Sequence, residues 1–163
     1  MKNKNVLFFS DTHGDISKAK EVIKYSSNIN MVVHLGDYVS DAVKIADETK
    51  LPTECVKGNC DFDSAEAELK EIFICGNKIL ITHGHNYGVK YSVDRLVYLA
   101  QEREAKAVFF GHTHVPFCEY IEGVWVVNPG SISQSRSGCE SYANVTFGKY
   151  GVIPKIMDFG RYI

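Results

Sequence analysis

Short apolar runs alternate with polar, amphipathic segments over the first third of the chain. Apolar runs at residues 5–10, 31–35 and 53–57 predict three buried strands. Between them, residues 15–27 and 39–48 carry apolar side chains at helical spacing and predict two helices. Strands that alternate with helices in this way are typical of a parallel α/β sheet.

Strands predominate in the rest of the chain. Residues 71–75 and 78–82 predict a hairpin with a Gly-Asn turn, although Asn-Gly is the usual order in such turns. Residues 92–104 predict a helix, and residues 107–110 predict a buried strand. Four further strands are predicted downstream, at residues 115–121, 124–127, 142–147 and 152–159. We therefore expect an α/β fold of two packed sheets flanked by helices, mixed or antiparallel in its second half, with Trp125, the phenylalanines and the tyrosines in the core.

The composition is that of a soluble globular domain. The chain has 163 residues, of which 45% are hydrophobic and 23% charged, and these values exclude disorder, coiled coil and collagen. Because no linker, repeat or low-complexity segment interrupts the chain, we expect a single domain covering residues 1–163. The formal net charge of -2 removes the electrostatic argument for binding long nucleic acid or a membrane surface.

The sequence also bears on the cellular compartment. No apolar run approaches the roughly 18 to 20 residues needed to span a bilayer. The first apolar stretch, residues 6–9, is soon interrupted by Asp11 and His13, which argues against a secretory signal. Five cysteines at irregular spacing, without a C-x-x-C pair, indicate neither a zinc ribbon nor a disulfide framework. We therefore expect reduced thiols and a cytoplasmic location.

Side chains that can bind metal ions follow five of the predicted strands. The clusters are Ser10-Asp11-Thr12-His13-Gly14, Gly36-Asp37, Gly58-Asn59-Cys60-Asp61, Thr82-His83-Gly84-His85 and Gly111-His112-Thr113-His114. Each cluster alone is a weak signal, because short motifs of this kind occur often by chance. Five of the six histidines nevertheless lie in these clusters, whereas structural histidines would be scattered. Since ligands bind outside the carboxyl ends of strands in open α/β sheets, we expect the clusters to meet at one site.

The chemistry of these side chains indicates a class of metal. Carboxylate, imidazole and amide ligands suit manganese, iron, zinc, nickel or cobalt, whereas an all-oxygen set would suit magnesium or calcium. Seven ligands are too many for one tetrahedral zinc ion, which takes about four. They fit two ions that share a bridging carboxylate, an arrangement that activates water for displacement at phosphorus.

Taken together, the motifs resemble those of the calcineurin-like metallophosphoesterases, in particular the compact bacterial and archaeal branch of YfcE-type phosphodiesterases. The resemblance runs from Asn5 to about Arg136 and includes the loop Asn128-Pro129-Gly130-Ser131. It implies a four-layer α/β/β/α sandwich, agreeing with the expectation from the hydrophobic pattern. It also implies an enzyme that hydrolyses small phosphodiesters.

The resemblance further implies two divalent metal ions in each chain. The implied ligands are Asp11, His13 and His114 for one ion, Asn59, His83 and His112 for the other, and Asp37 as the bridge. Manganese is the preferred ion, with nickel, zinc, iron or cobalt as alternatives. A hydroxide between the ions would attack phosphorus, because coordination lowers the pKa of water towards about 7.

Cys60 departs from the pattern of the wider family. Many members have a histidine directly after the motif asparagine, which is Asn59 here. A thiol with an ordinary pKa of about 8.5 is a poor proton donor to an alkoxide. We therefore expect diesters whose leaving groups need little protonation, such as aryl diesters, rather than monoesters. The candidate catalytic residues are Asp37, Asn59, Cys60 and Asp61.

Several residues near the motifs have less specific expected roles. Asp61 is expected to orient a ligand histidine, or else to be a turn carboxylate. His85 is expected to contact the substrate phosphate or to lie at the rim of the site, and His34 to be a core histidine. Arg136 could bind phosphate through its planar guanidinium, although Ser135 replaces the proline that usually precedes it. The candidate substrate-binding residues are Asn59, His85 and Arg136.

Two other functions compete with a small-molecule phosphodiesterase. A catalytically weak or silent interaction scaffold, similar to the retromer subunit that has this fold, is disfavoured because all seven ligand positions are retained. A nuclease acting on short or damaged nucleic acid fits the motifs, but the acidic balance argues against long duplex substrates. The sequence leaves open whether the chain forms a homo-oligomer, and we expect no membrane partner.

Overall fold

The computed structural model describes residues 2–161, which form two five-stranded sheets flanked by helices. In chain order, the strands and α-helices are β1 (Lys4–Phe9), α1 (Ser17–Tyr25), β2 (Ile29–His34), α2 (Val39–Thr49), β3 (Thr53–Cys55), β4 (Leu69–Ile74), β5 (Asn77–Thr82), α3 (Asp94–Glu102), β6 (Ala107–Phe109), β7 (Phe117–Ile121), β8 (Val124–Asn128), β9 (Ser141–Gly148) and β10 (Gly151–Asp158). One turn of 310 helix, His85–Tyr87, follows β5. Each predicted strand and helix is present, with its ends within two residues of the prediction. Among residues 2–161, no helix has both the length and the apolar character needed to cross a membrane.

Both sheets are mixed. The first has the order β10-β9-β1-β2-β3, in which β1, β2 and β3 are parallel and β9 and β10 are antiparallel to their neighbours. The second has the order β4-β5-β6-β8-β7, with β5, β6 and β8 parallel and the edge strands β4 and β7 antiparallel. Pro154 lies in the edge strand β10, where its missing N–H is tolerated. The predicted parallel arrangement of the first three strands is confirmed.

Apolar clusters join the layers of the fold. The cluster between the sheets includes Phe8 of β1 and Phe109 of β6, whose rings stack with their centroids 4.0 Å apart. A second cluster lies between α3 and the second sheet and includes Leu96 and Val108. A third lies between the first sheet and its helices and includes Ile45 of α2. The order of layers is helix, sheet, sheet, helix, which confirms the α/β/β/α sandwich.

The hairpin between β4 and β5 turns one residue earlier than predicted. Cys75 and Gly76 occupy the turn with φ angles of 49° and 76°, in the left-handed region that two-residue hairpin turns require. Asn77 is the first residue of β5, and its side-chain amide donates to the carbonyl oxygens of Ile74 and Cys75, both at 3.2 Å. The asparagine therefore stabilises the turn from beside it.

Some aromatic residues are exposed, so assigning all of them to the core was wrong. Phe62, Tyr91 and Tyr150 are 88%, 95% and 89% exposed. All three lie in loops or turns, outside the inward-facing positions of strands and helices. The aromatic residue type alone does not place a side chain in the core.

The residues that follow the parallel strands of the two sheets meet at one edge of the sandwich. Leu35 follows β2 in the first sheet, and its carbonyl oxygen accepts a hydrogen bond from the ring of His83, which follows β5 in the second, at 2.8 Å. The backbone N–H of His112, beyond β6, donates to Oδ2 of Asp11, beyond β1, at 3.0 Å. The fold thus brings the clusters predicted from the sequence to a common edge.

Candidate metal centre

The loops at this edge are strained. Five of the seven expected ligands have a left-handed backbone: Asp11, His13, Asp37, His112 and His114, with φ angles from 45° to 70°. Residues other than glycine adopt this region rarely, at a cost of order 1–3 kcal/mol each. Because this cost recurs in loops that turn their side chains towards one another, the strain itself indicates a functional site.

Glycines allow the loops to approach one another closely. A Cβ on Gly58 would overlap Oδ1 of Asp37, and a Cβ on Gly111 would overlap Oγ of Ser10 and lie 2.8 Å from Oδ2 of Asp11. Any larger side chain at either position would displace a carboxylate. The glycines that border the sequence clusters are therefore part of how the carboxylates are placed.

Asp11, His13 and His114 form the first group of converging side chains. Nε2 of His114 lies 3.2 Å from Oδ1 of Asp11 and 3.4 Å from Nε2 of His13. One ligand atom from each of the three residues lies within 4.8 Å of the others. The ring of Tyr38 stands edge-on to the ring of His13, with centroids 5.3 Å apart, and covers one side of the group.

His83 is the centre of the second group. Its Nε2 lies 3.1 Å from Oδ1 of Asn59 and 3.3 Å from Oδ2 of Asp37. The ring of His112 stands edge-on to the ring of His83, with centroids 5.1 Å apart. Asn59 and His112 are thus brought beside His83. Asp11 also reaches this group, since its Oδ1 is 3.8 Å from Nε2 of His83.

Asp37 lies between the two groups. Its Oδ2 is 3.8 Å from Nε2 of His13 in the first group and 3.3 Å from Nε2 of His83 in the second. Its Oδ1 accepts a hydrogen bond from the backbone N–H of Cys60 at 2.9 Å. One carboxylate oxygen is therefore fixed by the protein, and the other faces both groups.

Hydrogen bonds around the site orient the ligand rings. Nδ1 of His83 donates to the carbonyl oxygen of Leu35 at 2.8 Å, and Nδ1 of His114 donates to that of Gln134 at 2.7 Å. A neutral imidazole that donates through Nδ1 has its lone pair on Nε2. In that neutral form both Nε2 atoms would present lone pairs to the space between the groups, as metal-binding histidines do.

The unpartnered carboxylate oxygen of Asp11 tests whether the site fits a cation. This Oδ1 is buried and has no hydrogen-bond partner among residues 2–161, while Nε2 of His114, His83 and His13 lies 3.2, 3.8 and 3.9 Å away. A carboxylate oxygen that faces imidazole lone pairs is repelled unless a proton or a cation lies between them. The donor set and its geometry therefore fit divalent metal ions.

The carboxylates and imidazoles of the site shift one another's pKa values. Burial opposes the ionisation of Asp37, but the hydrogen bond and charge of His83 outweigh it and hold the pKa of Asp37 well below its ordinary value. Burial likewise raises the pKa of Asp11, but the hydrogen bond with His114 and the charge of His83 outweigh it and lower that pKa. Burial, together with the charge of His83, lowers the pKa of His112 to about 4. Burial lowers the pKa of His83, but Asp37 and Asp11 outweigh it and raise that pKa, and the hydrogen bond with Asp11 raises the pKa of His114. Because metal ions bind neutral imidazoles, ions at this site would take the place of those protons.

Asp61 orients backbone rather than a histidine ring. Its carboxylate accepts hydrogen bonds from the backbone N–H groups of Asp37 at 3.0 Å, Val39 at 2.7 Å and Gly58 at 2.8 Å. Asp61 was expected to orient a ligand histidine, but its partners are these backbone groups. It therefore ties the loop of Asp37 to the loop of Asn59.

Cys60 borders the centre. Its Sγ lies within 4.8 Å of ligand atoms of His13 and Asp37, and the residue is exposed. Partial desolvation of the thiol, together with the negative charge and the hydrogen bond of Asp37, raises the pKa of Cys60 to about 11. The side chain is therefore a neutral thiol at neutral pH.

The two expected phosphate-binding residues lie at the rim. The ring centroid of His85 is 5.5 Å from that of His83, and Nδ1 of His85 is buried without a hydrogen-bond partner among residues 2–161. Arg136 is connected to the centre through its backbone, since its N–H donates to the carbonyl oxygen of His114 at 3.1 Å. His34, expected in the core, is fully buried and hydrogen-bonded to Oγ1 of Thr12 at 2.9 Å.

The supporting roles of three residues, Asp41, Ser131 and Ser133, were not predicted from the sequence. Asp41 of α2 is fully buried, and its Oδ2 accepts from Oγ1 of Thr12 and from the N–H of Gly14, both at 2.7 Å. Ser131 and Ser133 donate to the carbonyl oxygen of Asp11 at 2.9 and 3.2 Å. An available signal for Asp41 was its position on the apolar face of α2, four residues before the buried Ile45.

Comparison with known proteins places the chain in a family. A model of the calcineurin-like phosphoesterase superfamily domain matches residues 5–149. The probable metallophosphoesterase YsnB of Bacillus subtilis is 35% identical over 144 residues, which cover 87% of this chain and 83% of that protein. The phosphodiesterase YfcE of Escherichia coli K12 is 26% identical over 157 residues, covering 82% of each.

Solved structures show the same fold. A crystal structure of a predicted phosphoesterase from Streptococcus pneumoniae TIGR4 matches with a TM-score of 0.77 and 29% identity, over 97% of this chain and 99% of that one. The Vps29 protein of Entamoeba histolytica, crystallised with zinc, matches with a TM-score of 0.71 and 22% identity, over 96% and 99% of the two chains. The second likeness bears on the fold alone. With the family model matching most of its length, the chain belongs to the calcineurin-like phosphoesterase superfamily.

Proposed function

We propose that this chain hydrolyses phosphodiesters with two divalent metal ions bound at the common edge of its sheets. One observation carries the proposal: Oδ2 of Asp37 faces both groups of ligand side chains, at 3.8 Å from Nε2 of His13 and 3.3 Å from Nε2 of His83. That is the position of a carboxylate that bridges two ions. The similarity to YfcE, which is named a phosphodiesterase, supports the choice of substrate class.

The proposed ligands are those expected from the motifs: Asp11, His13 and His114 for one ion, Asn59, His83 and His112 for the other, and Asp37 between them. When bound, the two ions supply a water molecule of lowered pKa and a positive clamp on the phosphate. The chain fixes the ligand directions, because Nδ1 of His83 and of His114 is held by backbone carbonyl groups. We propose manganese, with nickel, zinc, iron or cobalt as alternatives, because imidazole and carboxylate suit these ions.

Residues around the centre would bind the substrate and influence the leaving group. We assign substrate contacts to His85, whose ring lies beside those of His83 and His112, and to Asn59 and Arg136 as well. Cys60 lies where many relatives carry a histidine, and a thiol, with an ordinary pKa of about 8.5, is a poor proton donor to a leaving alkoxide. Diesters with acidic alcohols such as phenols as leaving groups are therefore the proposed substrates.

A scaffold without catalysis is the weaker alternative. The Vps29 likeness is compatible with it, but all seven ligand positions are retained here, and five of them keep a strained backbone. An interaction surface has no need of that strain. A nuclease on long duplexes is disfavoured by the net charge of -2, whereas short nucleic acids stay within the proposed class.

We also propose that residues 1–163 act as one domain in the cytoplasm. All five cysteines are free in the structure, which a reducing compartment would preserve. The proposed site is built from one chain and needs no second copy.

The test is hydrolysis of bis(p-nitrophenyl) phosphate against p-nitrophenyl phosphate by metal-stripped protein resupplied with manganese, nickel, zinc or magnesium. We expect metal-dependent turnover that is faster on the diester. Replacing the bridging carboxylate in Asp37→Asn should lower it by about 100-fold or more. The matched control is Asp47→Asn on the exposed face of α2, which should leave turnover unchanged. Absence of turnover with every metal, from protein that circular dichroism shows to be folded, would refute the proposal.

A further inference from the structure

A cavity of about 590 Å³ lies beside the loop that carries His112 and His114, and Arg136 is the one lining residue given a role above. Its walls are mostly apolar and include Val89, Val93, Phe110, Val115, Pro116 and Phe117. The rings of Phe110 and Phe117 lie tilted against each other with centroids 6.3 Å apart. The volume and the apolar lining are those of a site for a small organic group.

The wall of this cavity continues into the loop that carries the proposed metal ligands His112 and His114. Phe110 comes two residues before His112, and Thr113, which also lines the cavity, lies between His112 and His114. Val115 and Pro116 follow His114 directly. The cavity therefore lies against the loop that carries His112 and His114, and a diester held at the proposed metal centre would have this cavity beside it.

Two positively charged side chains line the same cavity. Arg136 lines it, and its backbone N–H donates to the carbonyl oxygen of His114 at 3.1 Å. Lys90 also lines it, from the segment that carries Val89 and Tyr91. Positive charge at an otherwise apolar cavity suits a ligand with an anionic and an apolar end.

We propose that this cavity is a substrate subsite that binds an aromatic group on one ester oxygen of the phosphodiester, with Lys90 and Arg136 facing the phosphate. The inference rests on the proposed function, since it places the phosphate at the metal centre. The paired rings of Phe110 and Phe117 and the exposed Tyr91 at the rim favour an aromatic group over a short alkyl group. The preferred substrates are accordingly diesters that carry an aryl or nucleobase-like group.

The test compares the binding of two non-chromogenic diesters, diphenyl phosphate and dimethyl phosphate, to the manganese-loaded protein by calorimetry. Both carry the same phosphate charge, and they differ in apolar surface. We expect diphenyl phosphate to bind at least about tenfold more tightly, because a ring leaves water on entering the cavity. Hydrolysis of bis(p-nitrophenyl) phosphate is measured on the same preparation.

Two variants probe the cavity, each with a matched control elsewhere. Val115→Asn places a neutral polar group in the wall, and its control is Val43→Asn at another exposed valine. Tyr91→Ala removes an exposed ring from the rim, and its control is Tyr150→Ala. Because Tyr91 is 95% exposed, that variant should fold normally. We expect Val115→Asn to weaken diphenyl phosphate by about fivefold or more and Tyr91→Ala by about threefold, with dimethyl phosphate unchanged.

The outcomes separate the subsite from the proposed function. Equal binding of the two diesters would overturn the subsite, and so would a preference for diphenyl phosphate that is unchanged in both cavity variants. If the same protein still hydrolyses bis(p-nitrophenyl) phosphate, the proposed phosphodiesterase function is retained. A folded, manganese-loaded protein that neither hydrolyses the nitrophenyl diester nor binds either probe would overturn both. Loss of the diphenyl phosphate preference in the cavity variants, with both controls resembling the wild type, would support the subsite.

Discussion

Replacement of Asp61 by alanine tests how the loops of the site are held in place. The Asp61 carboxylate accepts hydrogen bonds from the backbone N–H groups of Asp37, Val39 and Gly58 at 3.0, 2.7 and 2.8 Å. Asp61→Ala removes all three acceptors at once and leaves the N–H groups to water. The loop of Asp37 and the loop of Asn59 then lose their common anchor.

The size of the effect follows from those three bonds. A hydrogen bond to a charged acceptor contributes about 1.5–3 kcal/mol, but water reaches this partly exposed carboxylate and replaces some of that energy. We therefore expect the free energy of unfolding to fall by about 2–4 kcal/mol rather than by the sum of three full bonds. Because Asp37 and Asn59 lose their positioning, the affinity for the metal ion at His83 should fall by about 10–100-fold.

Urea unfolding of the metal-free protein and calorimetric titration with manganese measure the two effects. Asp61→Asn keeps one acceptor oxygen and should lie between the wild type and Asp61→Ala. Asp63→Ala, two residues away and exposed, is the control and should change the free energy of unfolding by less than about 0.5 kcal/mol. Wild-type stability together with wild-type manganese affinity in Asp61→Ala would show that this carboxylate does not hold the loops.

Two further predictions concern Cys60 and His34. Cys60→His restores a better proton donor beside Asn59, so turnover of phosphomonoesters such as p-nitrophenyl phosphate should rise at least about tenfold relative to the diester; an unchanged ratio would exclude this position from leaving-group protonation. Burial lowers the pKa of His34 to about 4 from an ordinary value of 6.5. As the pH falls, the histidine is therefore protonated in the unfolded chain before it is protonated in the folded one. The free energy of unfolding should fall by about 3 kcal/mol between pH 6.5 and pH 4. Urea midpoints measured across that range should show a smaller slope in His34→Gln; a slope equal to that of the wild type would contradict the assignment.

The strands and the polar clusters that follow them could be predicted because both signals are local. An apolar run that ends in a polar cluster marks the end of a buried strand, as at Phe9 before Asp11 and at Thr82 before His83. Parallel strands place such ends at one edge, so the sequence predicts that these clusters share a site. The structure brings them together, with Nε2 of His83 3.8 Å from Oδ1 of Asp11.

The hydrogen-bond partners could not be predicted, because they depend on how distant segments pack. Asp61 was expected beside a histidine ring, but it accepts from backbone N–H groups that come from loops after two different strands. The apolar cavity at the site likewise combines Val89 and Val93 before α3 with Phe117 of β7, residues far apart in sequence. No periodic pattern along the chain predicts such long-range contacts.

Asp41 shows how such distant contacts allow a strained ligand to persist. Its buried Oδ2 accepts from Oγ1 of Thr12 and from the N–H of Gly14, the two residues that flank His13. His13 itself has a φ of 47°, which is unfavourable for a residue with a Cβ. Hydrogen bonds on both sides offset that cost and fix the direction of the ring towards Asp37. The packing of α2 against the first sheet therefore also positions a ligand of the proposed metal centre. The same helix that contributes to the core carries Asp41, and the carboxylate of Asp41 holds the loop of His13.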